Sequence, residues 1–228
     1  MKVEIIQQKY ILSMNEFAIL ANRCGIHRVF SFLESQHETM GKETFIQILH
    51  QLMKKGLVTL EQDTFQVKQP FTSYFAQIKS AKEAITIETD KGVYAGKCCY
   101  LSDDDRILIT ESTDTREDAI RMYQVEKKEF LGRILEEGYL TYDERDVDYN
   151  RRTEKRILTT VKWWDLVKET LIREVHFCLQ NSQCFIEQGM GEQMARIPYD
   201  TQVLVKLIQE MAGGEEDASG GLIRTVLK

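Results

Sequence analysis

Histidine, cysteine and carboxylate side chains carry most protein chemistry, and in this 228-residue sequence few of them fall at workable spacings. His176 and Cys178 alternate onto one face of an expected strand, and Cys184 lies just across the hairpin that follows. Three ligands could approach a zinc ion there, but a fourth is missing, and so is the paired short spacing of structural zinc sites. Core packing is the expected role. Asp103-Asp104-Asp105 sets three carboxylates in a row. Consecutive side chains on a tight turn point apart, whereas calcium loops alternate their ligands around a glycine, so a solvated turn is expected. Cys98 and Cys99 are neighbours on a strand and face opposite ways. Gly189-Met190-Gly191 lies between expected strands, where a dinucleotide loop would need a helix next, and reads as a turn or bulge. His27, His37 and His50 are scattered, and no P-loop or nucleophile elbow is present. The expectation is a protein that is not an enzyme, with no catalytic, cofactor-binding or metal-binding residues.

The elements that would position these residues belong to a folded chain. An apolar fraction of 43% and a charged fraction of 29% suit a packed core. A net charge of −6 argues against chain-wide attraction to nucleic acid or anionic lipid. No apolar run approaches the roughly 18 residues that span a bilayer, and the first residues, MKVEIIQQKY, lack the regions of a signal peptide. Five cysteines without a CxxC pair fit reduced thiols. A cytoplasmic location without membrane insertion is expected.

Residues 3–11 read as a strand, and Ser13 with Glu16 forms a capping box opening a helix that Gly25 stops. Residues 26–34 are apolar enough to pack down. Thr39 can cap a second helix, with Phe45, Ile48, Leu49, Leu52 and Met53 on its stripe and Gly56 at its end. Strands near 57–61 and 64–68 follow, so 13–68 has the order of a winged helix. Pro70 opens a third helix. Strands are expected at 84–89, 94–101, 106–112 and 119–125, then a helix at 126–137. Residues 139–156, with five acidic and five basic residues and Tyr139, Tyr142 and Tyr149, read as an exposed connection. A helix is expected at 159–172, with Val161, Trp164, Val167 and Leu171 inward and Trp163 at its margin. Strands at 174–180, 183–189 and 193–198 and a helix at 200–211 complete the order. The last seven residues, LIRTVLK, could add an edge strand.

After residue 70 the order repeats. Setting Arg121 on Arg196 aligns AIRMY with MARIPY, and with a gap of two residues Leu131, Ile134, Leu135 and Glu137 match Leu204, Leu207, Ile208 and Glu210. ILIT at 107–110 matches CFIE at 184–187. The fold class is therefore α+β: a quasi-two-fold pair of antiparallel-sheet-plus-helix halves with a short winged-helix-like N-terminal element. The expected organisation is a single domain over 1–228, with an N-terminal half at 1–138, including the winged-helix-like segment 13–68, and a C-terminal half at 139–228.

The strand, then SMNEFAILANRCGI, the apolar connection, KKGLVTLEQDTFQV, and the repeated halves together resemble the EspG-type chaperones of type VII secretion systems. Composition rich in Lys, Glu, Ile and Gln, with two prolines, looks like a Firmicutes relative. The resemblance implies a cytosolic chaperone or adaptor that covers the tip of a helical secreted protein, LXG-, WXG- or PPE-like, keeps it soluble and delivers it for export. Such work needs a surface with apolar anchors and a polar rim. Tyr142, Val147 and Tyr149 are the candidate partner-binding residues, because tyrosine in a charged exposed segment is typical of interfaces. The competing reading is a winged-helix nucleic-acid-binding regulator with a C-terminal sensing domain. Against it, residues 39–68 carry Lys42, Lys54, Lys55 and Lys68 opposed by Glu43, Glu61 and Asp63, with no arginine. No nucleic-acid partner is expected.

Overall fold

Period-two alternation dominates the chain from residue 83 onward, and it is realised as one antiparallel sheet of nine strands. The computed structural model describes residues 10–26, 41–62, 64–89, 96–112, 119–138, 140, 154–191 and 193–211. The expected strand at residues 3–9, the packing of residues 27–34, the cap at Thr39, most of the 139–156 connection and the strand at the tail lie outside these residues.

Strand β1 (Tyr10–Ser13) leads into helix α1 (Met14–Arg23) through the capping box: the Ser13 hydroxyl accepts from the Glu16 amide at 3.1 Å and the Glu16 carboxylate from the Ser13 amide at 2.9 Å. Two orphan donors of the first helical turn are thereby satisfied. Helix α2 (Lys42–Lys54) follows, and Gly56 takes φ +71° where it stops. Strands β2 (Val58–Glu61) and β3 (Thr64–Val67) form the wing hairpin, and helix α3 (Phe71–Ser80) comes next.

The N-terminal half of the sheet is the meander β4 (Glu83–Thr89), β5 (Gly96–Leu101), β6 (Arg106–Ser112) and β7 (Ala119–Glu126), closed by helix α4 (Lys127–Glu136). The C-terminal half repeats that plan with β8 (Arg156–Asp165), β9 (Thr170–Gln180), β10 (Gln183–Met190), β11 (Gln193–Pro198) and helix α5 (Thr201–Met211). The first strands of the two meanders, β4 and β8, pair antiparallel at the seam, with Ile85 opposite Trp163. The sheet order β1-β7-β6-β5-β4-β8-β9-β10-β11 is therefore quasi-two-fold about that seam, apart from β1 added at one edge.

Both closing helices lie on one face. Phe130 and Ile134 of α4 and Leu207 and Met211 of α5 share a core with Ile85, Ile87, Ile109, Val161, Val175 and Ile186. The opposite face of the N-terminal half is covered by α1, α2 and α3. There Phe17, Leu20, Leu52, Phe71 and Phe75 meet Ala84, Cys98, Tyr100, Leu108 and Met122.

Two sequence expectations are corrected. Residues 159–172 form a strand, a turn and the start of another strand in place of a helix. The segment is rich in β-branched and aromatic residues, which suit a pleated surface. Its turn is built by Asp165, whose Oδ1 accepts from the amides of Val167 (3.0 Å) and Lys168 (2.9 Å). Trp163 and Trp164 accordingly face opposite sides: Trp163 packs on the α4/α5 core, while the Trp164 indole donates to Thr86 Oγ1 at 3.3 Å. The second correction concerns the repeat. Arg121 and Arg196 occupy matching strands but opposite faces, because Arg121 shares its face with Tyr123 of the α4 core, whereas Ile197, next to Arg196, is the residue that turns toward α5.

Candidate functional site

Strand register brings charged residues together across each half, and the two clusters have opposite character. In the N-terminal half Lys97, Glu111 and Arg121 stand opposite one another on β5, β6 and β7. Their face is the one α4 covers, so Lys97 and Glu111 are each only 1% exposed. The Lys97 ammonium is bonded to the Glu111 carboxylate and donates to the Tyr123 hydroxyl at 3.1 Å, and that hydroxyl donates to Glu111 at 2.8 Å. Arg121 holds the other Glu111 oxygen at 3.0 Å, and Glu137, at the end of α4, reaches Lys97 at 2.8 Å as an ion pair. Arg133 of α4 stacks over the Tyr123 ring at 4.9 Å. Burial and the neighbouring Glu111 and Glu137 carboxylates push the Tyr123 phenol far above its ordinary range, so it stays a hydroxyl. Arg121 (16% exposed) and Glu137 (25%) form a partly exposed rim around the buried Lys97–Glu111 pair. The cluster fixes α4 to the sheet.

In the C-terminal half the corresponding ladder is His176, Glu187 and Arg196 on β9, β10 and β11. It lies on the face away from α5. The core that α1–α3 build extends to Leu166, and beyond it this face presents a charged array among the described residues. His176 Nε2 is 3.0 Å from Glu174, which lies 3.6 Å from Lys162. His176 Nδ1 is buried without a hydrogen-bond partner among the described residues, 3.8 Å from Glu187. Lys155 donates to Glu187 at 2.9 Å, and Arg196 stacks on Phe185 with 3.5 Å to the ring centroid. Burial, then the Glu187 carboxylate, pushes the Cys178 thiol up to about 12.

That thiol is protonated at neutral pH and is no nucleophile. The ladder does not chelate either. Cys184 pairs with Leu179, not Cys178, and so turns to the opposite face from His176 and Cys178. No group of three or more metal-type ligands occurs among the described residues. Cys98 and Cys99 face opposite cores, Asp103 pairs with Lys82 at 2.8 Å on an exposed turn, and Gly189 sits in the β10–β11 pair, where a Cβ would meet the Gln193 carbonyl oxygen at 2.0 Å. Sequence reading brought out none of the Lys97 cluster. Alternation from Cys99 would have placed Lys97 toward a buried face, but its partners are set by register alone. Tyr142, Val147 and Tyr149 lie outside the described residues. No helix among the described residues is long and apolar enough to cross a membrane.

The winged-helix-like element presents a different surface. Helix α2 buries Ile48 and Leu52, while Ile46 (43%) and Met53 (38%) remain exposed one helical face away. Lys55, next after α2, is held by the buried Glu16 carboxylate at 2.6 and 2.7 Å.

No protein-family model matches the sequence, and no curated protein sequence matches it. Among solved structures, the chain is similar to one described as the Mycobacterium tuberculosis type VII secretion system chaperone EspG5 in complex with a PE25–PPE41 dimer. The TM-score is 0.53 at 7% identity, over 92% of this chain and 96% of that one. The likeness is one of fold: a large antiparallel sheet with helices, laid out as in an EspG chaperone.

Proposed function

We propose that this protein is a chaperone or adaptor that holds a helical partner of the PE/PPE kind, or an LXG- or WXG-like protein, for type VII secretion. The observation that carries this reading is the fold match, which spans nearly the full length of both matched chains. The chemistry agrees with it. The two polar clusters are a buried structural network and a self-neutralising ladder, and neither provides an activated nucleophile. On this reading the chain works in the cytoplasm, divides into halves at 1–138 and 139–228, and uses Tyr142, Val147 and Tyr149 as part of the partner surface. A Firmicutes source fits the same proposal. The winged-helix alternative has weaker support, since a DNA-facing α2 would offer polar, base-reaching side chains where Ile46 and Met53 stand.

A tagged pull-down from cells that express the protein, with mass spectrometry, tests the reading. A helical secreted protein recovered in near-equal amount is the expected result. Recovery of nucleic acid that dissociates with salt would overturn it in favour of the regulator.

A further inference from the structure

The quasi-two-fold plan places a strand beside β7 and, among the described residues, none beside β11. Strand β7 lies between β6 and β1, and β1 pairs with it antiparallel from Tyr10 opposite Met122 to Ser13 opposite Ala119. None of the eight residues of β7 is exposed, against four of the six in β11, as suits a strand with one open flank. The Gln193 carbonyl points at β10, where a Cβ on Gly189 would lie 2.0 Å away. Alternation along the strand then turns the backbone groups of Gln193, Ala195 and Ile197 to β10 and those of Met194, Arg196 and Pro198 outward. Pro198 has no amide, so the outer edge offers two donors and three acceptors.

An edge of this kind is a template for another strand. The sequence beyond α5 has the composition to supply one. Residues 222–228, LIRTVLK, hold three β-branched residues, and the ten before them, AGGEEDASGG, hold four glycines and suit a linker. Helix α5 ends at the Gln193 end of β11, because Glu210 pairs with Arg173 of β9 at 3.0 Å and the adjacent Glu174 lies opposite Gly189. Ten residues reach about 33 Å when extended. Crossing from β9 past β11 and along it to Pro198 takes about 22 Å, from strand spacings of about 4.8 Å and a rise of about 3.3 Å per residue.

Handedness selects the direction. The crossover from β7 through α4 joins parallel strands and runs toward the seam. A parallel strand outside β11, reached through α5 on the same face, would turn with the opposite hand, and such crossovers are almost all of one hand. We propose that the outer edge of β11 is a strand-acceptor site and that its occupant is this chain's own segment 222–228, running antiparallel to β11. The segment closes this edge as β1 closes that of β7. The proposal does not draw on the secretion reading.

Residue-resolved amide exchange by NMR on the full chain is the test. Met194 and Arg196 are expected to exchange at least tenfold more slowly than in a chain carrying Thr225→Pro and Val226→Pro, which removes a donor on each side of the segment. Ala195 and Ile197, bonded to β10, should be unchanged and report that β11 stays folded. Equal exchange of Met194 and Arg196 in the two chains overturns the proposal. In the unsubstituted chain, close Hα–Hα contacts from Ala195 and Ile197 to residues 222–228 are the expected sign of antiparallel pairing. Their absence overturns the proposal even if the substituted chain fails to fold. The same contacts found between copies, in a sample mixed from labelled and unlabelled chains, would make the occupant a second molecule and overturn the assignment within one chain.

Discussion

The meander β4–β7 is covered by helices on both faces, whereas β8–β11 is covered, among the described residues, by α5 on one. The two charged ladders lie on opposite faces of the sheet, one beneath α4 and one away from α5, and so meet different surroundings. Beneath α4 a lysine persists because two carboxylates and a phenol satisfy it, and removing any partner leaves a charge in the core. On the far side of β9–β10, Glu174, His176 and Glu187 keep 15–16% exposure beside the more exposed Lys162 and Lys155. A charged ladder thus fastens a helix where one covers it, and forms a partly exposed network where no described helix does.

The largest effect should come from Lys97→Met, which strands Glu111 with one cation. A loss of about 3–5 kcal/mol is expected, read as a lower midpoint in urea unfolding. Lys97→Met with Glu111→Leu should recover much of that loss, and a double variant no better than the single would show that the cluster is not acting as a unit. Tyr123→Phe removes one donor and one acceptor from the same network and should lower stability by about 1–2 kcal/mol.

Alkaline titration separates the halves in another way. The Cys178 thiol keeps its proton to about 12 when folded and loses it near 9 when unfolded. Its contribution to stability is therefore complete below about 9 and declines as pH rises through that window. Replacing Cys178 with Val should make the alkaline decline of thermal midpoint shallower, and an unchanged slope would assign the decline to the phenols and to Cys99. The smallest effect belongs to Glu210→Ala, which removes the exposed pair of α5 with Arg173 at 3.0 Å and should cost about 1 kcal/mol or less in global unfolding. A loss as large as that of Lys97→Met would erase the contrast between a buried ion pair and an exposed one.

Much of the architecture was legible in the sequence. The Ser13–Glu16 capping box, the glycine stops and the strand order each rest on local chemistry, and the repeat of meander and helix follows from them. The segment 159–172 misled because Val161, Trp164, Val167 and Leu171 fall at helical spacing, while the run of Ile, Thr and Val before the tryptophans and the Asp165 turn favour strands. The buried cluster was not legible. Lys97 and Glu111 are 14 residues apart, and nothing local states that the register sets them opposite one another. His176 and Cys178 were placed on one face correctly by alternation, whereas Cys184 required the hairpin register.

The seam between β4 and β8 has a consequence for how the chain assembles. Each meander pairs strands that are neighbours in the sequence, but the seam joins residues as distant as Ile85 and Trp163. Closing so long a loop carries a large entropic penalty before any contact rewards it. The two meanders should accordingly gain order early and independently, with the seam zipping afterwards. An interruption of synthesis between them would leave β4 as an unpaired edge, and the nascent N-terminal half would need that edge shielded until β8 emerges.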